Sequence, residues 1–230
     1  MRVLGFDATS QRLTVGLAEN GRSMGRWDEH GRRDRGNTLE LVINRALAEA
    51  GWTRHDVDGL AIVTGPGSLT AIRIGWATAS GWALAGGIPI AGWPVPEVQQ
   101  RWWCRQESEA ARGDHDLPTV CVVHHRGDKF YTYDLAEWQP GQKPGTVTLG
   151  DVELSLGDKG QLVGPGVIGY HDRWQSALKS EWEIVGDERA IVGGDQLARW
   201  GSDDLKSGRH FDLAQSPLEY GLQPEFRKTS

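Results

Sequence analysis

Three places in this chain put chemically useful residue types close together. The first is Asp7 in FDATS, at the turn between two alternating apolar runs, where a carboxylate stands beside the hydroxyls of Thr9 and Ser10. The turn itself reads Ala8-Thr9-Ser10 and lacks the glycine that lets a phosphate approach the backbone. A hydrogen-bonded turn is the competing role for the same residues. The second place is Gly65-Pro66-Gly67-Ser68, which opens a run from Thr64 to Gly87 whose single charge is Arg73. A Walker-type loop needs a lysine and a hydroxyl residue at the helix start, and GPGSLTAIR has no lysine. What remains is a helix N-terminus, whose free N–H groups favour an anion. Asp7, Thr9, Ser10, Gly65, Gly67 and Ser68 are therefore the candidates for weak nucleotide or phosphate binding.

The third place is His124-His125. Adjacent residues on a strand point to opposite faces, so the two cannot chelate together. None of the seven histidines (30, 55, 115, 124, 125, 171 and 210) repeats at a four-residue helical spacing. Cys104 and Cys121 match no zinc or redox spacing and fit a reducing compartment. No nucleophile elbow or Cys/His pair is visible. The expectation is a chain with no catalytic residue and no metal site of its own.

The elements that must position these residues can be read from periodicity. RVLGFD and RLTVGLAE alternate and predict two strands, with a third over RSMGRWDE after the Asn20-Gly21 hairpin turn. In NTLELVINRALAEAG, Leu39, Val42, Ile43, Ala46, Leu47 and Ala50 fall on one helical face, with Asn37 as cap and Gly51 as stop. DGLAIVTG reads as a strand buried on both faces, followed by the helix after GPGS, a strand at IPIAG and a helix from about Pro96 to Arg105. PTVCVVHH and DKFYTYDL predict a hairpin around Arg126-Gly127-Asp128. QLVGPGVIGY, the helical HDRWQSALKS, the short RAIVGG and the helical DQLARW suggest a smaller α/β lobe, and no internal repeat stands out. This order predicts an α/β protein of mixed sheets covered by helices, with the topology of the ribonuclease H-like lobe of the actin, sugar kinase and Hsp70 superfamily. The lobes are expected at 1–105 and 106–230, with the final tail packing back on the first.

Bulk properties narrow the partners. The chain has 230 residues, is 38% hydrophobic and carries a net charge of −6. It suits one large domain or two lobes, is no general polyanion binder, and shows neither a signal peptide nor a membrane span. A cytoplasmic protein is expected. Its densest basic run is Arg32-Arg33-Asp34-Arg35, so the free chain should bind nucleic acid poorly. The helix from Leu69 to Leu84 carries two apolar stripes, one with Leu69, Ile72, Trp76 and Ala83, the other with Ala71, Gly75, Thr78, Trp82 and Ala85. One helix has a single side for its own sheet. Small residues including Gly75 and Ala79 allow another helix close. Leu69, Ile72, Gly75, Trp76, Ala79, Trp82 and Ala83, with Leu39 and Val42 of the first helix, are thus expected at a partner interface.

GPGSLTAIRIG, followed by an alanine- and glycine-rich helix, strongly resembles the signature of the bacterial TsaB (YeaZ) family. FDATSQRLTVGL, LELVINRALAEAGW, LVGPGVIGY and the closing SPLEYGLQPEFRK are similar to further family segments, in the same order. The chain departs from that pattern at WPVPEVQQ, at His124-His125-Arg126 and at Ala71. The resemblance implies a non-catalytic subunit for tRNA threonylcarbamoyladenosine synthesis. It would pair with a TsaD-like catalytic subunit, join a TsaE-like ATPase in a larger complex, and form a homodimer when alone. tRNA would be met indirectly, through the complex, and ATP or ADP bound at most weakly. The alternative is a small-metabolite kinase of the same fold, with Asp7 and Gly164-Pro165-Gly166 on opposite sides of an ATP cleft. A metallopeptidase is disfavoured by the histidine spacings.

Overall fold

The alternating runs at the start become an antiparallel pair, β1 (Arg2–Asp7) and β2 (Arg12–Glu19). β3 (Arg22–His30) follows a turn in which Asn20 and Gly21 take φ of 54° and 80°, the geometry that matches strand twist. The computed structural model describes residues 1–30, 35–110, 117–152, 156–178, 181–186 and 191–211, and the side chains of 35–37 and 104–110 are outside that description. α1 (Arg35–Glu49) begins ahead of Asn37, which therefore lies inside the helix and is not its cap. Gly51, at φ 69°, follows its end as expected. β4 (Gly59–Gly65), α2 (Leu69–Gly86) and β5 (Ile90–Pro94) add two strands parallel to β1, giving a first sheet in the order β3-β2-β1-β4-β5.

α3 (Val95–Ala110) leads to β6 (Thr119–Arg126), β7 (Lys129–Asp134), β8 (Gly145–Thr148), β9 (Gly160–Val163), α4 (His171–Ala177), β10 (Trp182–Ile184) and α5 (Gly194–Lys206). The second sheet has the order β10-β9-β6-β7-β8. In both sheets a central strand has an antiparallel pair on one side and parallel neighbours on the other. The two halves thus repeat one topology without repeating a sequence. RAIVGG yields no strand among its described residues; Ile191 and Val192 are buried on the way into α5.

α5 carries the DQLARW run read from sequence as part of the second lobe. It packs instead across β1 to β4 of the first sheet. Two glycines make this approach possible. A Cβ at Gly16 would run into the backbone of Asp195 and Gly194, and one at Gly194 would meet the backbone of Val15 and Gly16. A glycine inside a strand weakens it unless backbone must come this close. The first sheet is consequently covered on both faces. Leu4, Phe6, Val15 and Leu17 pack under α1 and α2 with Leu39, Ile43 and Leu47. Val3, Ala18 and Ala61 pack under α5 with Leu197, Ala198 and Leu205, in a core that continues into the second sheet through Cys121, Val123, Tyr131 and Val163.

Candidate functional site

The Asp7 hairpin is shaped by its own polar groups. Asp7 Oδ1 accepts the Thr9 N–H at 2.7 Å, and Ser10 Oγ donates to the Arg12 carbonyl at 2.9 Å. Thr9 is buried and its carbonyl accepts the Ser68 N–H at 2.9 Å. Gly67 lies so close that a Cβ there would strike the Thr9 carbonyl oxygen. The GPGS loop is thereby docked on the hairpin, and the Thr9 carbonyl uses one of the N–H groups at the start of α2. Asp7, Ser10 and Pro165 do line one cavity, as the kinase reading requires, together with Gln99 of α3. Its volume is about 10 Å³, room for about one water, because Val63, Val95, Val98, Ile191 and Val192 fill the space between the halves. Gly65, Gly67 and Ser68 do not line it.

His124 and His125 face opposite sides of the second sheet. His124 stacks on Tyr170 at 4.6 Å, and His125 lies 4.6 Å from Tyr131. Among the described residues no group of three or more His, Cys, Asp and Glu side chains could hold a metal ion. No described helix is long and apolar enough to cross a membrane.

The helical face differs from the one read off the sequence. Ile72, Gly75, Ala79 and Ala83 of α2, with Leu39 and Val42 of α1, are buried inside this chain. Gly75 faces Phe6 and Ala8 of its own sheet hairpin. Trp76 and Trp82 are partly buried against the same core, and only Leu69 of the expected interface residues is exposed. The middle of both apolar stripes lies on one inward side, covered by the chain's own sheet and α1, while Leu69 at one end and Ala85 at the other are exposed. The outward side instead presents Arg73, Ala77, Gly81, Leu84 and Ala85, with Leu41 on α1. Leu84 is 81% exposed and Leu41 67% exposed. The four-residue spacing of Ala77, Gly81 and Ala85 was the available signal for this side.

Between α1 and α2 runs a groove of about 510 Å³, floored by Ile43, Val57, Trp82 and Ile88, a volume typical of binding clefts. One wall is fixed in place. The Arg54 guanidinium lies 5.2 Å over the Trp82 ring and donates to Glu40 at 2.6 Å and to Asn44 at 3.0 Å. Sequence reasoning missed Arg54 and Glu40, because their meeting depends on how the short turn after α1 folds back.

Residues 29–99, which span α1, β4, α2 and β5, match the family model described as TsaD, tRNA N6-adenosine threonylcarbamoyltransferase. A tRNA N6-adenosine threonylcarbamoyltransferase of Geotalea uraniireducens (strain Rf4) is 44% identical over 55 residues, 24% of this chain and 16% of that relative. The chain thus matches under a fifth of the relative's length. A crystal structure of an uncharacterized protein with similarity to peptidase YeaZ from Pseudomonas aeruginosa superimposes with a TM-score of 0.66 at 18% identity, covering 96% of this chain and 99% of that one. YeaZ from Pseudomonas aeruginosa gives 0.64 at 19% identity, covering 93% and 96%. The protein therefore has the two-sheet fold of the YeaZ structures, and its first half carries a segment similar to the threonylcarbamoyltransferase family.

Proposed function

We propose that this chain is a TsaB-like, non-catalytic subunit of the assembly that places a threonylcarbamoyl group on the adenosine beside the anticodon of tRNA. The observation that carries the reading is a juxtaposition. The segment similar to the threonylcarbamoyltransferase family is the one that builds the α1–α2 face, whereas the cavity at Asp7 holds only about 10 Å³. A face with two exposed leucines and a fixed groove suits a protein partner. The partner is a TsaD-like catalytic subunit, docking on the outward side of α1 and α2, and the same side serves a homodimer when the chain is alone. A TsaE-like ATPase joins the larger complex, tRNA is engaged through the complex, and ATP or ADP binds this subunit at most weakly.

The test is reconstitution. With a threonylcarbamoyl adenylate supplied as donor (AMP leaving) and ATP present, purified chain, a TsaD-like subunit, a TsaE-like ATPase and a tRNA substrate should give modified tRNA only when this chain is present. The chain alone should neither modify tRNA nor turn over ATP. Steady ATP turnover by the chain alone, lost in a folded Asp7→Ala variant, would favour the small-metabolite kinase.

A further inference from the structure

At the tip of the β6–β7 hairpin, Arg126 stands opposite Lys129 across the Gly127-Asp128 turn, and both are exposed. Like charges directly opposite each other on antiparallel strands destabilise the pair. In a chain of net charge −6, carboxylates are abundant, yet none of the described ones pairs with either cation. Asp128 is engaged by Arg173 at 2.6 Å, and Asp172 sits 3.6 Å from His171. Beside them, burial first and then the nearby charges of Arg126, His124 and Lys129 push His125 below the ordinary histidine pKa. The tip is also held firmly from beneath. His124 stacks on Tyr170 with the rings 21° apart, and Phe130 meets Tyr170 edge-on at 5.2 Å. A local rule broken on a rigid support is expected where a ligand restores the balance.

We propose that Arg126 and Lys129 form a contact site for the phosphate backbone of RNA. Backbone phosphates bring repeated negative charge and accept from exposed guanidinium and ammonium groups without base recognition. Two such contacts give modest affinity, in keeping with poor tRNA binding by the free chain and a supporting role in an assembly. That the RNA is tRNA rests on the function proposed above; the phosphate contact does not.

The experiment measures anisotropy of a labelled tRNA transcript against the full-length chain bound to a TsaD-like subunit, from 50 to 200 mM KCl. Two phosphate contacts account for about a tenfold fall in affinity over that range. The double variant Arg126→Ser, Lys129→Ser should therefore bind more weakly at low salt and lose about that much salt sensitivity. Arg126→Lys with Lys129→Arg should keep both. Identical affinity and salt slope in the folded double serine variant overturns the proposal. So does competition by poly-glutamate as effective as that by unlabelled tRNA, or tripolyphosphate binding without RNA binding. If no assembly forms with the TsaD-like subunit, the functional reading fails separately. Salt-sensitive RNA binding by the chain alone, weakened in the double serine variant, would then still sustain the hairpin site.

Discussion

Gly75→Leu and Gly81→Leu change the same residue type on the same helix and should have opposite consequences for stability. A Cβ at Gly75 would lie 3.5 Å from Phe6 Cε2 and 3.6 Å from the Ala8 Cβ, which is ordinary contact. The remaining carbons of leucine have no space, because Phe6 is fully packed. Overpacking of this kind costs ~1–3 kcal/mol. At Gly81 a Cβ meets nothing within 4 Å. Both variants gain the ~1 kcal/mol of helix propensity that glycine forfeits, so the difference between them isolates the overpacking. For a chain of this size 1 kcal/mol moves Tm by roughly 2–4 °C. Gly75→Leu should thus melt ~2–12 °C below Gly81→Leu in calorimetry. Equal melting temperatures would refute the placement of Gly75 in the chain's own core.

Three further outcomes follow from the fold. Gly16→Ala should lift α5 from the first sheet and lower Tm by ~2–12 °C, while Gly150→Ala, where a Cβ meets nothing, should leave it unchanged; both are read in the same melts. Burial pushes the Asp28 carboxyl up, but hydrogen bonds from Thr14, Arg26 and Arg12 outweigh it and hold the group below the usual carboxylate range. The stability it contributes should be present above pH ~4 and lost as pH falls through its folded value, so urea midpoints of Asp28→Asn and the parent should converge in acid. Burial pushes the Cys121 thiol well above its ordinary pKa, so thiol reagents should label it only on unfolding. Labelling of Cys121 in the native protein, followed by mass spectrometry, would contradict that burial.

The first sheet was legible because its signals are local: period-two runs, the Asn20-Gly21 turn and the apolar stripe of α1 each name their own element. The docking of α5 was not, since Gly16 and Gly194 are distant in sequence and a strand glycine does not announce what approaches it. The repeat of topology was hidden for a related reason: strand polarity and order can recur while no residue does. At the site, the turn chemistry of Asp7, Thr9 and Ser10 was readable, but the tight fill of Val95, Val98 and Ile191 around it depends on how two sheets meet. On α2, both stripes were correctly seen as apolar; how far the sheet and α1 wrap around a helix is a tertiary quantity. The Arg32 to Asp34 run and the SPLEYGLQPEFRK tail lie outside the described residues.

The proposed docking of a TsaD-like subunit on the outward side of α1 and α2 can be checked with Leu84→Asp. Leu84 is 81% exposed, so the change should leave folding stability within ~0.5 kcal/mol while placing a charge in the contact. Sedimentation of the variant with the TsaD-like subunit should show association weakened at least tenfold, roughly 1.4 kcal/mol, at an unchanged melting temperature. Full-strength association by the folded variant would place the partner elsewhere and contradict the account.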